Sequence, residues 1–138
     1  MNKYGNGWDE VVDVMPDWDR RTINQLCDNI HLANIDAGWW HDLHTGEPLK
    51  RNMGELLCLV HSEISEAMEG HRKDLMDDKL PHRKMIEVEL ADACIRIFDI
   101  AGWLSLDLGG AIAEKRTYNA HRTDHKPENR KAEGGKAY

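Results

Sequence analysis

Two acidic pairs, Glu63 with Glu66 and Glu89 with Asp92, carry the chemistry to be expected of this chain; each pair is spaced i, i+3. Residues three apart on a helix are neighbours, roughly 5–6 Å between Cβ atoms, so each pair presents two carboxylates together. Both pairs lie in otherwise apolar segments. From 87 to 104 the chain reads EVELADACIRIFDIAGWL, and on a helix its apolar side chains point in nearly every direction, leaving no broad face for water. Within that segment Glu89, Asp92, Arg96 and Asp99 share one narrow stripe at i, i+3, i+7 and i+10. Burying unpaired carboxylates is costly, and Arg96 offsets only part of three negative charges, as an ion-pair partner of Asp92 or Asp99. A bound cation explains such a stripe more readily than stability does.

The segment from 52 to 73, NMGELLCLVHSEISEAMEGHRK, supplies the other pair. Leu56, Leu57, Leu59, Val60, Ile64, Ala67 and Met68 form a wide apolar arc with Glu63 inside it and Glu66 at its edge, whereas Glu69 points to a solvated side. Two helices meeting on these faces would converge Glu63, Glu66, Glu89 and Asp92. That oxygen-only set suits a hard cation, Mg²⁺ with Mn²⁺ as a substitute. Glu63, inside the apolar arc, is the candidate general base.

The elements that must position these groups read as helices. A helix through Thr22–Ala37, capped by Asp17 or Asp19, has apolar positions at helical spacing and a stop at Gly38. Asn52 caps the first acidic helix, Pro81 suits the start of the second, and Asp107 caps a fourth helix running to about Arg122, with Leu108, Ile112 and Tyr118 facing inward. Residues 1–18 form an irregular lead-in to a domain spanning 1–122, and 123–138 a polar, mobile tail. The expected fold is all-α, four-helix bundle-like, its apolar central helix completed by a second subunit.

The 138 residues suit one domain, and a net charge of −7 without a basic stripe argues against a nucleic-acid polymer as partner. Cys27, Cys58 and Cys94 are widely separated and read as buried free thiols of a cytoplasmic protein. No membrane-length apolar run occurs, so no membrane partner is expected.

Glu63-x-x-Glu66, then 22 residues, then Glu89-x-x-Asp92, resembles the MazG-like family of all-α nucleoside triphosphate pyrophosphohydrolases. Gly38-Trp39-Trp40 at a helix end, LVHSEISEAMEG, ELADACIRIFDIAG and EKRTYNAHR follow that family's order over residues 22–122. The resemblance implies Mg²⁺-dependent hydrolysis of a nucleoside triphosphate to monophosphate and pyrophosphate, in a homodimer or homotetramer. It makes the four carboxylates metal ligands and gives Lys115, Asn119 and Arg122, its K-x-x-x-N-x-x-R segment, a part in binding phosphate. Trp39 and Trp40 stay open between core or interface anchors and substrate contacts.

Other classes fit less well. A di-iron bundle needs Glu-x-x-His pairs, absent from both acidic helices. No GxxxxGK[ST] loop occurs, and two histidines at 41 and 44 make a poor zinc site. A non-enzymatic helical dimerisation module with a buried acidic stripe is the remaining alternative.

Overall fold

The computed structural model describes residues 17–122, 126–132 and 134. They form α1 (Asp17–Asp36), α2 (Met53–Arg72), α3 (Met85–Trp103), α4 (Leu108–His121) and the single turn α5 (Pro127–Arg130). Among the described residues there is no strand, only isolated bridges at His41–Pro48 and Met76–Lys84, and the fold is all-α. The expected lead-in lies outside the described residues up to position 16. Helix α1 already begins at Asp17, so that residue starts the helix, and α5 places helical structure within the expected tail. The chain divides into two compact units, Met1–Asn24 with Asp107–Tyr138, and Gln25–Leu106.

The 25–106 unit holds the acidic helices. Asn52 caps α2 by accepting a hydrogen bond from the Glu55 amide at 3.2 Å, satisfying a donor the helix cannot use. Helix α3 starts later than Pro81 suggests. Its N-cap is Lys84, and Pro81 sits in a turn held by the buried Asp77, which accepts from the Lys79 and Leu80 amides at 3.0 and 2.6 Å. Gly38 ends α1 at φ +82°, a left-handed conformation glycine adopts without strain. Gly102 matters for packing instead. A Cβ there would lie 2.6 Å from the Cys27 carbonyl oxygen, so only glycine lets α3 approach α1 this closely.

The pairing of α2 with α3 runs antiparallel, with Gly70 late in α2 against Met85 at the start of α3. Leu56, Glu63, Ala67 and Gly70 form the buried line of α2; Glu89, Ala93 and Ala101 form that of α3. Apolar side chains remain outside these lines. Leu57, Ile64 and Met68 on α2 and Leu90, Cys94 and Ile97 on α3 are exposed, so a single chain does not bury α3 on all sides. Cys58 is exposed as well, and of the three expected buried thiols only Cys27 is buried.

In the other unit, Asp107 caps α4 by accepting from the Gly110 amide at 2.9 Å. Asn24 joins the cap, donating to Asp107 at 2.7 Å and accepting from the Gly109 amide at 2.8 Å. Gly109, Gly110 and Ala113 form the buried line of α4, while Tyr118, expected inward, is exposed.

Candidate active site

Glu63 follows Leu56 by two helical turns and precedes Ala67 by one, so it cannot avoid the buried line of α2. Glu89, one turn before Ala93, is held likewise on α3. Antiparallel pairing sets these lines face to face. Glu63, Glu89 and Asp92 each offer a carboxylate oxygen within 4.8 Å of the others. Glu66 is exposed and stands at the edge of this group, and its charge acts on Glu89. A residue at the edge of an apolar arc is turned outward by a small rotation of the helix.

Burial and like charge act together here. Burial first, then the negative charge of Glu66, a hydrogen bond with Glu63 and the charges of Glu63 and Asp92 push the Glu89 carboxyl up to about 7. Arg96 pairs with Glu63, its Nε donating to Glu63 Oε1 at 2.6 Å. Arg96 therefore pairs across to α2, not with Asp92 or Asp99 on its own helix.

Asp99 has a different environment. Its carboxylate accepts from His31 Nδ1 at 2.7 Å, Asn34 Nδ2 at 2.7 Å and Trp40 Nε1 at 2.9 Å. A carboxylate offers only acceptors, so the His31 proton sits on Nδ1. Trp40 is 4% exposed, stacks at a tilt on Trp103 with ring centroids 4.6 Å apart and lies under the Arg51 guanidinium. With its N–H committed to Asp99, Trp40 is a core anchor, which corrects its candidacy as a substrate contact. Trp39 is 60% exposed and remains available.

Beside the carboxylates lies a cleft of about 430 Å³. Asn34, Trp39 and Arg51 line it together with Asp92, Arg96 and Asp99 of α3, and leucine and isoleucine side chains of α2 and α3 complete its wall. The Nε of Arg51 is buried without a hydrogen-bond partner among the described residues. Asn34, Arg51 and His31 are missing from the residues singled out in the sequence. A signal existed for two of them: Cys27, His31 and Asn34 recur at i, i+4 and i+7, putting polar groups on the inward face of α1.

Lys115, Asn119 and Arg122 belong to the unit containing α4. Lys115 and Arg122 flank the exposed Tyr118 ring, at 4.6 and 5.8 Å from its centroid. Asn119 Oδ1 is buried and has no partner among the described residues.

Comparison of the chain with protein-family models, with curated proteins and with solved structures finds no match.

Proposed function

We propose that the protein hydrolyses a nucleoside triphosphate between its α and β phosphates, releasing the monophosphate and pyrophosphate with the help of Mg²⁺. One observation carries this reading: Asp92 belongs both to the convergent carboxylates and to the wall of the cleft. The donor set fits a hard divalent cation, because it is oxygen-only and because burial and mutual repulsion together favour a proton on Glu89 that a cation would replace. Glu63, Glu89 and Asp92 are the ligands, with Glu66 joining from the edge. Bound there, Mg²⁺ supplies neutralisation of phosphate charge and a more acidic water. Glu63 would serve as the general base toward the attacking water. The cleft offers Trp39 as an aromatic face and Asn34 and Arg51 as polar contacts for the base and sugar. Lys115, Asn119 and Arg122 act as phosphate contacts.

The active form is a homo-oligomer, a dimer or tetramer in which the exposed apolar stripes of α2 and α3 bury against a second copy. Exposed free thiols at Cys58 and Cys94 favour the reducing cytoplasm. The experiment is a panel of ribo- and deoxynucleoside triphosphates assayed with Mg²⁺ for pyrophosphate. Release of orthophosphate plus a diphosphate would reject the mechanism. A helical partner-binding module is the second reading, favoured by those same apolar stripes. A stable dimer that hydrolyses no nucleotide on the panel would establish it.

A further inference from the structure

We propose that Arg96 is an exchangeable cation of the carboxylate site: metal binding displaces it from Glu63, and the freed guanidinium then holds a phosphate of the substrate in the adjoining cleft. This inference rests on the metal-binding reading above. Glu63 is a carboxylate buried to 9% side-chain exposure, and a buried carboxylate needs a counter-charge. Arg96 provides it through one contact, Nε to Oε1 at 2.6 Å, not through the two-pronged grip a guanidinium can give a carboxylate. Its own side chain is 39% exposed, so it is tethered at one atom and otherwise has room to move.

Placement gives the displaced group a destination. Arg96 follows Asp92 by one helical turn, and both line the cleft. A divalent cation on Glu63, Glu89 and Asp92 would stand a few ångströms from the guanidinium and repel it, while using the negative charge that had held it. Triphosphate oxygens arriving in the cleft would supply the replacement anion. Arg96 thereby serves the metal-free protein as a counter-ion and the loaded protein as a phosphate ligand. Metal affinity is lowered by the competition, and phosphate affinity depends on metal being present.

These two roles predict opposite signs for one substitution. In Arg96→Gln, calorimetry should show Mn²⁺ binding about fivefold tighter, because no resident cation must be displaced. Binding of methylenediphosphonate, a non-hydrolysable pyrophosphate analogue, in the presence of Mn²⁺ should be about fivefold weaker or worse. A purely structural arginine would weaken both. Mn²⁺ affinity that is unchanged or lower in the variant, or unchanged diphosphonate binding, overturns the proposal. The parent protein provides a test independent of the variant's folding: the Arg96 Nε–H proton should be protected from exchange without metal and lose that protection on saturation with Mg²⁺. Protection that persists overturns the exchange while leaving the metal site intact. No binding of Mn²⁺ by the parent at millimolar concentration overturns the metal reading itself, and the exchange with it.

Discussion

Asp92 and Asp99 lie seven residues apart on the same stripe of α3, yet their surroundings have opposite character. Around Asp99 stand three N–H donors from His31, Asn34 and Trp40. Asp92 stands with Glu63 and Glu89, each offering a carboxylate oxygen within 4.8 Å of the others. A carboxylate supplied with donors rigidifies a fold, since removing it strands the donors. One crowded by other carboxylates opposes folding until a cation arrives. Charge on a helix face thus has no function by itself; the sign and number of the groups facing it decide whether it is structure or site.

Substituting the two aspartates sharpens the contrast most. Asp92→Asn should lower pyrophosphate release about 1000-fold, roughly 4 kcal/mol of transition-state stabilisation, because it removes a metal ligand while keeping the shape. Its metal-free form should melt no earlier than the parent, and Mg²⁺ should raise its melting temperature much less than it raises the parent's. A metal-free variant that unfolds far earlier would make Asp92 a structural partner and erase the contrast.

Asp99→Asn should do the reverse, costing about 3 kcal/mol of stability because the replaced oxygen becomes a donor facing other buried donors. Urea unfolding measures this. A loss below about 0.5 kcal/mol would show that the Asp99 network contributes little.

Acidity provides a subtler test. Glu89 is held above its ordinary value, near 7, and the same group in the unfolded chain titrates near 4.5. A carboxyl raised in the folded state contributes stability fully below the unfolded value and loses it as pH rises through the folded one. Metal-free protein should therefore lose stability between about pH 4.5 and 7, and Glu89→Gln should flatten that slope. Mg²⁺ should bind more tightly across the same interval as it displaces the proton. A slope unchanged in Glu89→Gln would assign it to other groups.

The smallest effects belong to α4. Lys115→Ala or Arg122→Ala should reduce turnover about tenfold, near 1.4 kcal/mol, and leave Mg²⁺ binding unaltered, since neither side chain can ligate a cation. Loss of metal binding in a folded variant would contradict their assignment to phosphate.

The sequence by itself determined the four main helices and several of their endings. Asn52 and Asp107 act as caps, as their side chains and neighbouring amides dictate, and Gly38 stops α1. It also determined that Glu63, Glu89 and Asp92 must lie on or beside buried lines, because a helical period is a local property. Tertiary structure decided what local period cannot reach. Glu66, at the edge of an arc, turned outward, and Arg96 chose Glu63 on another helix over the aspartates one turn away on its own. Asp99 became structural because His31, Asn34 and Trp40, at least 59 positions earlier, converge on it through the close crossing at Gly102. Pairing across such distances depends on how helices settle against one another, and a modest rotation of either helix changes which charge a carboxylate meets. For this chain that rotation separates the carboxylate able to hold a cation from the one that holds the fold.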